Sequence, residues 1–117
     1  MSEANPAAER AALDWLTLVD AGNAHGSWAA AATLFRRAVP ELRWVESLEA
    51  ARGPLGKVES RRLTAAQPAT QLPGAPDGEY VVFQFETVFE RKRAAVETVT
   101  PMRDADGEWR VSGYFVR

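Results

Sequence analysis

The stretch that decides the fold is Glu79-Tyr80-Val81-Val82-Phe83-Gln84-Phe85-Glu86-Thr87-Val88-Phe89-Glu90. Side chains alternate sides along an extended chain, so Val81, Phe83, Phe85, Thr87 and Phe89 share one face, and Tyr80, Val82, Gln84, Glu86 and Val88 share the other. The phenylalanine face is the core face. Two more extended segments follow, Ala94 to Arg103 and Glu108 to Arg117, the second introduced by the hairpin signal Asp106-Gly107. In the last segment Trp109, Val111, Gly113 and Phe115 oppose Arg110, Ser112, Tyr114 and Val116, and the tryptophan face is expected to be buried. In the middle segment the face of Val96, Thr98 and Met102 competes with that of Ala95, Glu97 and Val99, and period alone does not choose between them.

Working back toward the N-terminus, Leu72-Pro73-Gly74-Ala75-Pro76-Asp77-Gly78 is the longest turn-rich run and reads as a loop inside the domain. Lys57 to Ala66 has a charged, strand-like alternation, and Pro68 just beyond it cannot donate to a ladder, so this strand belongs at a sheet edge. The first half has helical spacing instead. Asn5-Pro6 reads as an N-cap followed by proline at the first helical position. Ala8, Ala11, Ala12, Trp15, Leu18 and Val19 then form an apolar stripe ending near Gly22. Asn23 can cap a second helix carrying Trp28, Ala31, Ala32, Phe35 and Val39. Pro40 breaks it and starts a third helix, which Gly53-Pro54 stops. The reading is therefore an α+β domain spanning residues 1–117, three N-terminal helices packed on a curved four-stranded antiparallel sheet.

Composition narrows the function classes. With 117 residues the chain can bury one proper core without a disulfide or a structural metal. It has no cysteine, which removes thiolate chemistry and disulfides, and no His/Asp/Glu spacing calls for a metal. Fourteen basic against sixteen acidic residues give a net charge of -2, and the only basic cluster, Arg91-Lys92-Arg93, is too short to track phosphates. No nucleic-acid partner, cofactor or membrane span is expected. Met1 to Pro6 has neither the charge nor the apolar run of a leader, so the chain reads as cytoplasmic as written, or as periplasmic or secreted if a leader has been cleaved ahead of it.

Several segments together resemble a known family. Ala11-Ala12-Leu13-Asp14-Trp15-Leu16, Val19-Asp20-Ala21-Gly22, Ser27-Trp28 and Leu34-Phe35-Arg36 look like its helical opening. Trp44-Val45, Gly53-Pro54-Leu55-Gly56, Val96-Glu97-Thr98-Val99-Thr100-Pro101-Met102 and Trp109-Arg110-Val111-Ser112-Gly113-Tyr114-Phe115 look like its later parts. The chain resembles a bacterial family of unknown function in the cone-shaped, cystatin-like superfamily typified by nuclear transport factor 2. That resemblance implies a half-cone fold and names no reaction. It also implies that any acid or base would sit between sheet and helices, and that the outer sheet face commonly packs on a twofold mate.

The candidate catalytic residues are Asp14, His25 and Tyr114, with Tyr80 as a further hydrogen-bond donor. Each has a simpler reading. Asp14 lies off the apolar stripe beside Arg10, as in an exposed helical ion pair, and His25, the only histidine, sits at a helix boundary. The candidate ligand cavity is lined by Trp15, Trp28, Phe83, Phe85 and Trp109, and the simpler reading of all four tryptophans, Trp44 included, is core. The candidate homodimer face carries Val82, Gln84, Glu86, Val88, Ser112, Tyr114 and Val116. Glu97 joins that polar constellation if strands two, three and four are neighbours. The expected function is a small homodimeric binding or interaction module with a modest cavity for a small apolar ligand; the alternative is a lyase or isomerase with an acid/base residue in that cavity.

Overall fold

The computed structural model describes residues 5–117; Met1 to Ala4 lie outside the described residues. Helix α1 covers Pro6–Asp20. Its start follows from local chemistry: the Asn5 side chain accepts from the Ala8 N–H at 3.1 Å, and Pro6 occupies the first turn, where a missing N–H costs nothing. Ala8, Ala12, Trp15, Leu16 and Val19 are the buried stripe. The helix ends before Gly22, whose φ of 76° lies in the left-handed region that glycine adopts without strain.

The segment read as one helix from Asn23 to Val39 is two: α2, Ala24–Ala29, and α3, Thr33–Ala38. Tertiary hydrogen bonds break it. The Ala32 N–H donates to the Val111 carbonyl of the sheet at 2.8 Å, and the Thr33 N–H and hydroxyl both donate to Asp104, so these donors serve the sheet rather than a continuous helix. Ala31 and Ala32 are fully buried at the junction, where a larger side chain would hold the helices off the sheet. Helix α4, Glu41–Arg52, follows Pro40 and runs into a 3-10 turn at Gly53–Leu55. There are thus four α-helices among the described residues where three were expected.

Four antiparallel strands follow in the order β1-β2-β3-β4: β1 Val58–Ala69, β2 Tyr80–Phe89, β3 Lys92–Arg103 and β4 Trp109–Val116. As expected of a strand containing Pro68, β1 is an edge. Helix α1 lies across β3 and β4, with α2 and α4 stacked beside it and α3 at the β4 edge. The sheet is open, and Val81, Phe83, Phe85 and Phe89 line its helix-facing side, each buried. Burying a side chain of this size stabilises by about 1.5–3 kcal/mol, so this one row outweighs any surface contact. The middle strand settles its phase with Ala95, Glu97 and Val99 inward.

The last strand departs from its expected phase. Thr100 pairs with Gly113 and Pro101 with Val111, which leaves Ser112 as the extra residue of a bulge. A bulge shifts alternation by one, so Trp109 and Val111 face the helices before it, while Tyr114 and Val116 face them after it. Tyr114 therefore does not lie on the outer face, and Phe115 is not core: it sits 53% exposed on the outer side, opposite Thr98. Val116 likewise leaves the candidate dimer face.

Candidate functional site

The tryptophans define the interior. Trp15 lies 6.0 Å from Trp44 and 5.3 Å from Tyr114, ring centre to ring centre, and Phe35 meets Trp44 edge-on at 5.0 Å. Their polar edges are satisfied locally. Trp15 Nε1 donates to the Ser27 carbonyl at 2.8 Å, Trp44 Nε1 to the Ser27 hydroxyl at 2.9 Å, and Trp28 Nε1 to the Val39 carbonyl at 2.8 Å. The interstice among Trp15, Phe35, Trp44, Val111, Gly113 and Tyr114 holds no water-sized volume. Trp15, Phe83 and Phe85 are packed core rather than the lining of a void, Trp28 packs at its margin, and Trp109 is half-buried beside α1.

A buried ionic cluster lies beside that core. Glu97 has no solvent exposure at all. Its Oε1 accepts from Arg61 Nε at 2.7 Å and from the Thr87 hydroxyl at 2.6 Å, and its Oε2 accepts from the Tyr114 hydroxyl at 2.5 Å, with Arg52 Nη1 3.8 Å away. Asp20, at the end of α1, closes the cluster from outside: Arg61 donates to it at 2.8 and 3.0 Å, and Arg52 at 3.0 Å. Arg52 also lies 4.8 Å over the Phe89 ring. Two guanidinium and two carboxylate groups balance, the condition under which charge can be buried.

The electrostatics follow from that balance. Burial opposes the charge on Arg61, but its hydrogen bonds to Asp20 and Glu97, with their charges, outweigh it and raise the guanidinium pKa. Burial, and then the adjacent Glu97 carboxylate, pushes the Tyr114 phenol well above the ordinary tyrosine range. It is a hydrogen-bond donor held neutral. Each Glu97 oxygen already has a short partner, Arg61 and Thr87 on Oε1 and Tyr114 on Oε2.

The other candidates stand apart from this cluster. His25 is 72% exposed and its Nδ1 pairs with Glu41 at the start of α4. Asp14 is exposed on α1 and lines a polar surface groove with Arg10, Glu79, Arg103 and Trp109; the expected Arg10 ion pair is not formed. Tyr80 is buried with its hydroxyl on the Pro76 carbonyl at 2.6 Å. Asp14, His25 and the tyrosines do not converge. Among the described residues no His/Asp/Glu group is arranged to hold a metal, and no helix is long and apolar enough to cross a membrane.

Asp20, Arg52, Arg61 and Thr87 were not singled out from the sequence. Thr87 on the phenylalanine face and Glu97 between Ala95 and Val99 were the available signal: polar groups on buried faces need partners, and arginine is the residue type that supplies them.

On the opposite side no helix among the described residues covers the sheet. Val82, Gln84, Val96, Thr98, Thr100 and Met102 face outward in the central rows with Phe115, while Tyr80 is covered by the loop at Pro76. The Thr98 hydroxyl, buried in this face, has no hydrogen-bond partner among the described residues. Arg62 pairs with Glu86 between β1 and β2, and Arg103 with Glu79 and Arg110 with Asp106 near the β3–β4 turn, so these charges flank the central residues in pairs.

A family model for DUF4019, proteins of unknown function, matches residues 11–114, and the chain belongs to that family. The matched span includes Asp20, Arg52, Arg61, Thr87, Glu97 and Tyr114. No curated protein matches the chain.

Proposed function

We propose that this domain is a homodimeric interaction module of the cone-shaped, cystatin-like kind, joined through the outer face of its sheet, without turnover chemistry of its own. The observation that carries this reading is Phe115, a large aromatic ring left 53% exposed on the outer side of the edge strand β4, in line with the uncharged Thr98 and Gln84. Strands of this length, at about 3.3 Å per residue and about 4.8 Å between strands, give a face of about 600 Å² before side-chain relief. That approaches the roughly 800 Å² per partner of a standard stable interface. Arg62, Arg103 and Arg110 are already paired with carboxylates of their own chain, so these groups add no net charge to the meeting faces.

The lyase or isomerase alternative has less to draw on. Asp14 and His25 are exposed and separate, Tyr114 is held neutral, and Glu97 is fully buried and engaged with Arg61, Thr87 and Tyr114. General acid–base catalysis needs a group within hydrogen-bond reach of a bound substrate, and the interstice among Trp15, Trp44 and Tyr114 offers no room for one. A dilution series of backbone amide NMR spectra tests the proposal. Concentration-dependent shifts should cluster at Val82, Gln84, Thr98 and Phe115; shifts confined to the Asp20 and Arg52 side of the helices would overturn it.

A further inference from the structure

Beside the exposed Phe115 lies a groove of the right size to receive it. Helix α3, the 72–75 loop and the end of the outer sheet face enclose a volume of about 310 Å³, walled by Leu34, Phe35, Ala38, Leu72 and Tyr80 and floored by Gly113. A site of about 150 Å³ is enough to hold benzene, so the groove accepts a phenyl ring with space for its approach. Gly113 opens the floor: a Cβ placed there would meet nothing within 4 Å.

We infer that each protomer of the proposed dimer seats its Phe115 in this groove of its partner. The inference rests on the dimer reading and specifies its contact. Phe115 and Gly113 are two residues apart on the same strand and, through their partners Thr98 and Thr100, on the same sheet face. Along a strand that is about 7 Å. A twofold axis lying between the two sheets and crossing β4 midway between ring and groove carries each Phe115 onto the other copy's groove. This is the reciprocal pairing that an isologous interface requires. Val82, Gln84, Thr98 and Thr100 carry no charge, and the Arg62–Glu86 and Arg110–Asp106 pairs that flank them are internally neutral, so these pairs bring no net charge to the contact. An aromatic anchor filling a pocket is also the usual energetic centre of an interface.

The chain has no cysteine, so engineered thiols report without background. Phe115→Cys and Ala38→Cys proteins, mixed and mildly oxidised, should form the mixed disulfide dimer faster than either forms its own. In parallel, Phe115→Ala, which empties the groove, and Gly113→Leu, which fills it, should each weaken dimer affinity about tenfold or more. Because both remove one contact, the double variant should be no weaker than the singles. If Val82→Lys disrupts the dimer while Phe115→Ala and Gly113→Leu leave its affinity unchanged, or if only Phe115→Cys pairs with itself, the seating is wrong although the face is right. A wild-type monomer removes both.

Discussion

Tyr114 donates a 2.5 Å hydrogen bond to Oε2 of Glu97, a carboxylate that solvent does not reach. The contact joins the end of β4 to the middle of β3, and it exists because the bulge at Ser112 turns Tyr114 inward. The same turn sends Phe115 outward. One extra residue in one strand thus both completes the ionic cluster inside and exposes the aromatic ring outside.

Removing the carboxylate should be costly. Glu97→Ala would leave Arg61 with Asp20 alone and the Thr87 and Tyr114 hydroxyls without an acceptor. Breaking a buried charge pair from one side costs about 3–5 kcal/mol. Urea unfolding should show the midpoint fall steeply, with Glu97→Gln falling less because its amide oxygen can still accept from Thr87. A Glu97→Ala protein as stable as wild type would mean that the cluster holds nothing together.

Tyr114 sets an alkaline limit. Its pKa is raised in the folded protein by burial first and by the Glu97 charge next, so its contribution is fully present below the unfolded tyrosine value of about 10 and is lost as pH rises beyond that. Tyr114→Phe keeps the ring against Trp15 and removes the proton. The variant should lose less stability between about pH 10 and 12 than wild type does, while costing about 1.5–3 kcal/mol at neutral pH for the lost charged hydrogen bond. Parallel stability profiles above pH 10 would contradict this assignment.

Asp104 sets an acid limit. Its carboxylate accepts from the Thr33 N–H and hydroxyl at 3.0 Å and from Arg110 at 3.2 Å, and those hydrogen bonds, the Thr33 N–H first, hold its pKa below the ordinary value. A depressed pKa contributes stability above the unfolded value of about 3.9 that is lost as pH falls toward the folded one. Asp104→Asn should therefore narrow its stability gap to wild type as pH falls below about 4, read from thermal midpoints. A gap constant with pH would show that Asp104 acts by shape alone.

How much of this could be read from the residues depended on how local each cause was. Asn5 capping Pro6–Asp20, the edge position of the strand containing Pro68 and the inward face of Phe83 and Phe85 all follow from neighbours in the chain. The bulge at Ser112 carries no local mark, and shifting the period by one reversed Tyr114, Phe115 and Val116 together. The break between Ala29 and Thr33 is likewise made at a distance, by Val111 and Asp104. Glu97 was visible as a polar residue in an undecided strand, but Asp20, Arg52 and Arg61 come from three separate elements that only the fold brings together.

The central claim is self-association through the outer sheet face, and sedimentation equilibrium of the wild-type chain beside Val82→Lys tests it most directly. The account predicts a wild-type mass approaching twice the 12.8 kDa of one chain at micromolar concentration, and a Val82→Lys protein much closer to a single chain, because each subunit would bury a new charge near the axis. A wild-type mass that stays at 12.8 kDa, or a Val82→Lys dimer of unchanged affinity, would contradict it.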